Sequence, residues 1–463
     1  MSRILVGECP KKIGESVELS GWVDVRRDHG KLIFIDLRDA SGTIQVVFTP
    51  ADKELLSNAD RLRSEWVVTV WGLVKERPEN MRNDKIPTGS IEIEAGGLEI
   101  LNEAETPPFD IHDDGKQIGE EVRLKYRHVD LRRPRLQHNI RLRSKLVDTI
   151  RQYLFSRSFV EIETPYLTKA TAEGSRDFLV PSRLQEGKFY ALPQSPQQYK
   201  QLLMASGFER YFQIARCFRD EDLRADRGFE HTQLDLEMSF VAREDVLNLA
   251  EGLMIDIAGK LGKQIKETPF PRYTYTEAIQ KFGADKFDLR TAEEKEAGVL
   301  AFAWVTHFPF FERTDSGAWT FTHNPFSAPI PEHEEKLLAG EIESIIADQY
   351  DLVLNGYEVG GGSIRAHKPE VLKKVLGIMG FDEDKIERDY GHMLKAFQGG
   401  TPPHGGIAPG IDRLLMCFTG ETALREVQAF PMTAGGKTSV MDAPADIPTE
   451  QLAEFGIQIR KKA

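Results

Sequence analysis

The chain has 463 residues, 40% of them hydrophobic and 29% charged, with a net charge of −13. That length predicts two or three domains with a sizeable core, and the acidic balance excludes nonspecific coating of nucleic acid while leaving room for a local basic patch. There is no apolar run of about eighteen residues and no charged-then-apolar leader, so a cytoplasmic protein with no membrane partner is expected.

Residues 1–105 read as one domain of five short strands, over 17–26, 31–38, 43–49, 66–74 and 91–101, with Gly, Asp, Asn and Pro in the breaks. Such a set predicts a small barrel of the oligonucleotide-binding kind. Alternation puts Val23 and Val25 on one face of the first strand and Asp24 and Arg26 on the other. In the second strand Phe34 falls on the outer face, away from Ile33 and Ile35. With Arg26, Arg27, Asp28, His29 and Gln45 nearby, Phe34 offers single-stranded bases a stacking platform. A solvated barrel face is the alternative. Residues 106–135 combine Pro, Gly and dense charge and predict a hinge, its basic end 127–135 either solvated or touching RNA.

The rest, 136–463, reads as a larger second domain. Apolar residues at helical spacing predict a helix over 139–157. FVEIETPYLT follows as a strand broken at Pro165, which suits a sheet edge or a subunit interface. Ser195 fits an N-cap and Pro196 the first position of the next helix. A strand over 211–219 then leads through a charged loop into a second strand, 232–240. There Gln233, Asp235, Glu237 and Ser239 share one face, and Leu234, Leu236, Met238 and Phe240 the other. Arg219 at the strand end, flanked by carboxylates, is placed to hold a phosphate.

Further on come an amphipathic helix over 243–264, a short charged connector over 284–300, strands from 301 and a helix around 333–347. YDLVLNGYEVGGGSIRAH predicts a strand, a Gly-rich bend and a short strand. GGIAPGIDRLLMCFTG predicts a strand turning at Pro409-Gly410 into a helix, with Arg413 in the first turn, where phosphate is favoured. AGGKTS is not a Walker A loop, because Pro431 stands where its first Gly belongs. Cys9, Cys217 and Cys417 lack CxxC spacing, which points to buried reduced thiols rather than disulfides or zinc.

Together the Pro165 strand, the RCFRDE loop and the GIDR strand-turn-helix resemble the signature motifs of the class II aminoacyl-tRNA synthetases. GWVDVRRDHG, FRDEDLRADR, QSPQQYKQLLM, GYEVGGGSIR and GTPPHGGIA are similar to the bacterial aspartyl type, so the resemblance spans nearly the whole chain. It implies an α+β fold: an N-terminal five-stranded OB-fold barrel that binds the anticodon, and a catalytic domain whose antiparallel sheet is flanked by helices. It also implies a homodimer joined through the first motif. The implied reaction is ATP-dependent ligation of L-aspartate to tRNA(Asp) through an aspartyl-adenylate. Charging of tRNA(Asn) as well, an asparagine enzyme, a tRNA-independent ligase and a noncatalytic RNA-binding protein are the alternatives.

Residue by residue, the resemblance implies that Lys200 and Arg365 take the substrate's side-chain carboxylate, with Asp235 holding the two cations. Glu173, Ser195, Gln197, Gln233 and His323 surround the rest of the aspartate. Arg219 grips the α-phosphate, Glu221 and His231 meet the adenine, and Arg413 stacks on it and reaches the γ-phosphate. Asp351 and Glu358 hold Mg2+. Arg27, His29, Phe34, Gln45, Arg77 and Glu92 read the anticodon, and Arg224 and Arg227 meet the acceptor end. The departures are His231 in place of Phe, which implies a titratable adenine shelf and pH-dependent ATP binding, Asn324 in place of a second His, and Pro409 in place of an aromatic. The connector 284–300 stands where the bacterial enzymes carry an inserted domain, and His29 implies strictness for tRNA(Asp).

Overall fold

Interior apolar side chains alternate along the first strands, and that alternation closes them into a barrel. The structure, a computed structural model, describes residues 2–171 and 173–460, in two units, Met1–Ile111 and His112–Ala463. The first unit comprises β1 (Ser16–Asp28), β2 (Ile33–Asp39), β3 (Gly42–Phe48), α1 (Lys53–Arg61), β4 (Val67–Glu76) and β5 (Ile91–Asn102). Its strands form a closed barrel in the order β1-β2-β3-β5-β4. Leu19, Val23, Ile35, Leu37, Ile44, Val46, Val68, Val70 and Ile93 fill the interior with no exposed surface, each contributing on the order of 1.5–3 kcal/mol by leaving water. The helix α1 has no counterpart among the expected elements; Asp52 caps it by accepting from the Leu55 amide at 2.9 Å.

One detail of the barrel departs from simple alternation. The β1–β2 register slips between Val23 and Val25, so Val23 faces Leu37 inside while Val25 pairs with Asp36. Val23 and Val25 therefore do not share a face, and Arg27 rather than Arg26 lies beside Phe34. A bulge of this kind re-aims every side chain beyond it.

The second unit begins with α2 (Glu120–Lys125), α3 (Arg127–Asp130) and α4 (Pro134–Phe155), then β6 (Val160–Glu161), the hairpin β7 (Leu179–Pro181) and β8 (Phe189–Ala191), α5 (Gln197–Ala205), β9 (Arg210–Phe218) and β10 (Glu230–Ser239). Next come α6 (Arg243–Lys260), β11 (Arg272–Thr274), α7 (Tyr275–Phe282), α8 (Ala292–Glu296), β12 (Phe302–Thr306), β13 (Phe311–Arg313), β14 (Trp319–Phe321), α9 (Glu334–Ala339), β15 (Gln349–Leu354) and β16 (Tyr357–Ile364). The chain ends with α10 (Pro369–Ile378), α11 (Glu383–Gln398), β17 (His404–Pro409), α12 (Ile411–Thr419) and α13 (Thr449–Glu454).

Eight of these strands make one sheet in the order β11-β12-β15-β16-β17-β10-β9-β6. It is antiparallel except where β6 meets β9 and β11 meets β12. Leu234, Leu236 and Met238 of β10 pack into a core shared with Leu146, Ile150 and Leu154 of α4 and Val246, Leu253 and Ile257 of α6. The opposite face of β10 is thereby left for chemistry.

Several local readings are corrected. The strand before Pro165 is only two residues long, although it does lie at the sheet edge. Gly360, Gly361 and Gly362 lie within β16, and the chain turns earlier, at Asn355-Gly356, where both φ angles are positive. A Cβ on Gly362 would come within 2.2 Å of the Gly406 carbonyl oxygen and one on Gly360 within 2.9 Å of the Pro409 Cα, so close approach to β17 calls for these two glycines rather than a bend. The helix expected over 333–347 is α9 alone, stopped by Gly340 in the left-handed region. The cap at α5 shifts by one, with Pro196 at the N-cap and Ser195 Oγ accepting from the Gln197 amide at 3.3 Å.

The stretch 120–133 is helical in large part, and three of its arginines are neither solvated nor open to RNA. Arg123, Arg127 and Arg133 are buried around Asp130, and Arg123 also pairs with Glu426 at 2.9 Å.

Candidate active site

The polar face of β10 forms the floor of a cleft of about 330 Å³. Lys200, carried on α5, lies 3.0 Å from Asp235 and 3.1 Å from Glu237. Arg365, just past β16, donates through Nε to Glu237 Oε1 at 2.9 Å and through Nη1 to Ser363 Oγ at 2.8 Å. All four charges are at most 3% exposed, so their pairing operates at low effective dielectric. Burial alone would raise the Glu237 carboxyl, yet Arg365 and Lys200 hold it down at about 2. At Asp235 burial wins over Lys200 and the carboxyl is pushed up. Glu237 is thus the firm anion of the floor. It had no assigned role in the sequence reading, although its place in the β10 alternation, two residues beyond Asp235, was the signal.

Above the floor, Ser195 Oγ donates to Glu173 Oε2 at 2.7 Å, and burial raises the Glu173 carboxyl. Gln233 Nε2 donates to Asp235 Oδ2 at 3.0 Å. Arg219 follows the end of β9, where its amide donates to the Phe229 carbonyl; its guanidinium has no hydrogen bond or ion pair among the described residues. An unpaired guanidinium in a cleft suits an anion. Glu221 accepts from Arg227 at 2.9 Å and from Ser175, and these partners and Arg219 outweigh burial to lower its carboxyl.

Burial, reinforced by Arg219, pushes His231 down to about 4. The ring is therefore neutral at physiological pH, and the expected titration of this position is corrected. Arg413 lies in the first turn of α12 and donates to the Glu358 carbonyl at 2.9 Å and to the Asp226 carbonyl at 3.3 Å. Asp412 fastens this helix to the sheet by accepting from the Thr232 amide at 2.9 Å.

The two remaining acids are close together. A Cβ on Gly361 would lie 3.1 Å from Asp351 Oδ1 and 3.5 Å from Glu358 Oε1, so the glycine keeps a small cradle open between them. Asp351 accepts from Gln349 at 2.9 Å and meets His323 at 3.4 Å. Burial raises Asp351, and Asp351 in turn raises His323 against the effect of burial. Lys286, from the connector 284–300, meets Glu358 at 2.9 Å and, with Arg413, lowers its carboxyl despite burial. Lys286 is a contact that the reading of this stretch as a mere connector did not foresee.

Glu173, Ser195, Gln197, Lys200, Arg219, Glu221, Arg227, His231, Gln233, Asp235, His323, Glu358, Arg365 and Arg413 all line the cleft. Asp351 does not line the cleft with them; it is buried and accepts from Gln349, which does. Arg224 is exposed and sits away from the cleft, bridged through its backbone to Arg227. The barrel residues form a separate line in the first unit. Arg27 donates twice to Asp36, at 2.6 and 2.7 Å, and once to Gln45 at 3.3 Å; Gln45 donates to Glu92 at 2.8 Å, and Arg77 lies 3.8 Å from Glu92. His29 meets Phe34 edge-on at 5.4 Å.

Known proteins share both units. Residues 119–434 match the family of class II tRNA synthetases (D, K and N), and residues 17–101 match the OB-fold nucleic acid binding domain. An aspartate–tRNA(Asp/Asn) ligase of Rubrobacter xylanophilus is 42% identical, with 96% of this chain and 95% of the relative covered. An aspartate–tRNA ligase of Staphylococcus saprophyticus is 39% identical, with 97% of each covered. The Rubrobacter alignment runs over 571 residues against the 463 of this chain, so the relative carries a stretch with no counterpart here.

Among solved structures, asparaginyl-tRNA synthetase from Pyrococcus horikoshii with asparaginyl-adenylate superposes with a TM-score of 0.75 at 24% identity, covering 94% of this chain and 98% of that one. A putative aspartyl-tRNA synthetase from Leishmania major gives 0.74 at 22% identity, covering 93% and 94%. Both share the fold. With a synthetase model matched across most of the second unit and bacterial aspartate–tRNA ligases aligned along nearly its full length, the chain belongs to the aspartyl group of the class II tRNA synthetases.

Proposed function

We propose that the cleft joins L-aspartate to ATP, forming aspartyl-adenylate and pyrophosphate, and then passes the aspartyl group to the terminal ribose of tRNA(Asp) with release of AMP. The observation that carries this reading is the pair of buried cations on one floor. Lys200 and Arg365, steadied by Asp235 and Glu237, offer a side-chain carboxylate two charged donors, whereas a side-chain amide brings no charge to match them.

Glu173 draws in the substrate ammonium, with Ser195, Gln197 and Gln233 beside it and His323 over the far side. The substrate α-carboxylate is already ionised, so attack on the α-phosphorus needs no general base. The bond to pyrophosphate breaks as the acyl–phosphate bond forms, and Arg219 stabilises the negative charge that grows there. Glu221 and the neutral His231 ring hold the adenine, and Arg413 stacks on it and pairs with the terminal phosphate. Asp351 and Glu358 fit Mg2+, being two hard oxygen donors around the cradle at Gly361. That ion, when bound, neutralises charge on the ATP phosphates.

In the barrel, Phe34 stacks an anticodon base while Arg27, Gln45, Arg77 and Glu92 hydrogen-bond neighbouring edges and His29 stands at the rim. Arg224 and Arg227 meet the acceptor end. Exposed Phe155, Val160, Tyr166 and Leu167 around the β6 edge supply the apolar surface for a homodimer. No helix among the described residues is long and apolar enough to cross a membrane, and the proposed site of action is the cytoplasm.

A second reading, in which tRNA(Asn) is charged too, draws on the names of relatives such as the Rubrobacter and Bacillus subtilis aspartate–tRNA(Asp/Asn) ligases. Aspartate-dependent ATP–pyrophosphate exchange tests the first step, and exchange driven by asparagine alone would overturn it. Aminoacylation of purified tRNA(Asp) and tRNA(Asn) separates the two readings.

A further inference from the structure

Behind the aspartate floor runs a line of buried polar groups with no role in the reaction as described. His404, fully buried at the start of β17, has Nδ1 2.8 Å from the Pro402 carbonyl oxygen. A carbonyl only accepts, so Nδ1 carries the proton. Burial pushes the ring down to about 4, so it is neutral and Nε2 is an acceptor. Gln201 Nε2, at 3.1 Å, must then donate to it. That turns Gln201 Oε1 the other way, where it accepts from Gln197 Nε2 at 3.0 Å. Gln197 lines the cleft, and its side-chain Oε1 has no partner among the described residues.

We infer that the relay Pro402–His404–Gln201–Gln197 fixes the Gln197 amide with its carbonyl oxygen toward the bound amino acid, making it an acceptor for the substrate ammonium. His404 and Gln201 are positioning residues that touch no substrate. Each link in the relay has one direction, set at its far end by a backbone carbonyl that cannot reverse. The benefit is selectivity for an α-ammonium. An amide free to flip would present its NH2 to the ammonium in half of its settings, and two donors repel. With the relay in place, a molecule of aspartate's shape that lacks the ammonium, such as L-malate, loses a charge-assisted hydrogen bond.

This inference rests on the aspartate reading of the cleft, and the test separates the two. Dissociation constants for L-aspartate and L-malate, the latter measured by competition, are compared in the full-length wild type, Gln201→Met and His404→Gln. Met fills the Gln201 space without donating or accepting. Gln at 404 restores an acceptor where Nε2 stood. The expected result is that Gln201→Met lowers the aspartate-over-malate preference about tenfold, equivalent to about 1.4 kcal/mol, while KM for ATP stays within about twofold of the wild type. His404→Gln should keep the preference. An unchanged preference in folded Gln201→Met, with normal aspartate binding by the wild type, overturns the relay. Equal falls for both ligands in Gln201→Met overturn it too, since they mark loss of packing rather than of orientation. A wild type that binds no aspartate overturns the reading of the cleft itself.

Discussion

Both units carry a line of alternating charges and amides across strand faces, yet the lines operate in different media. In the barrel, Arg27 and Asp36 keep 38% and 22% of their side-chain surface exposed. Water screens such a pair, and its net worth is about 0–1 kcal/mol. In the catalytic unit, Lys200, Asp235, Glu237 and Arg365 are almost wholly buried. Removing one partner there strands the others at a cost of roughly 3–5 kcal/mol. The same residue types form a water-screened surface in one place and a desolvated, fixed network in the other.

The largest effect that sharpens this contrast is expected from Lys200→Ala. Aspartate-dependent pyrophosphate exchange should fall by roughly 2–5 kcal/mol, because the substrate carboxylate is left without a charged partner, with the fold intact by circular dichroism. Near-normal exchange would remove the cleft floor from the aspartate site.

Next in size is the acid stability of the floor. The Glu237 carboxyl is held at about 2 against an ordinary 4.5, so its contribution is fully present above pH 4.5 and is lost as pH falls toward 2. Glu426, held at about 2 by Arg123 and Arg135 against the effect of burial, adds to the same slope. Melting temperature should therefore drop steeply between pH 4.5 and 2. Glu237→Gln should flatten that drop while lowering Tm at pH 7, and an unaltered slope would count against the pairing.

A smaller effect is expected in the barrel. Phe34→Ala should weaken tRNA binding by about 1–3 kcal/mol through lost stacking, leaving pyrophosphate exchange untouched. A change in exchange would mean that the two lines are not independent. The smallest effects belong to His231 and His29. Because His231 is already neutral, KM for ATP should stay flat from pH 6 to 8, and His231→Phe should shift it by less than about 1 kcal/mol. A bell or step near pH 6.5 would contradict the depressed value. His29→Leu should alter only the relative charging of tRNA(Asp) and tRNA(Asn).

Much of this arrangement was legible because periodicity is local. The period-2 pattern of β10 announced a packed face and a polar face, and the strand-turn-helix at Pro409-Gly410 announced where Arg413 would lie. Residues whose partners are distant in sequence were harder to read. Arg127 and Arg133 looked like a solvated basic run, but both pair with Asp130, and the segment 425–429 takes the rest of Arg127 while Asp113 takes Arg133. Lys286 looked like part of a connector until the fold brought it to Glu358.

By itself the sequence determined the strands of the barrel and the faces on which charges alternate, since these follow from spacings of a few residues, and its motifs implied the catalytic sheet through the family they resemble. Only the tertiary structure decided which charges lose their water. It drew Glu237 between Lys200 and Arg365, paired Phe34 with Arg27 instead of Arg26 through one extra residue in β1, and left His231 neutral. Desolvation depends on everything packed around a group, and strand register on a neighbour far along the chain. Neither can be read from a window of sequence.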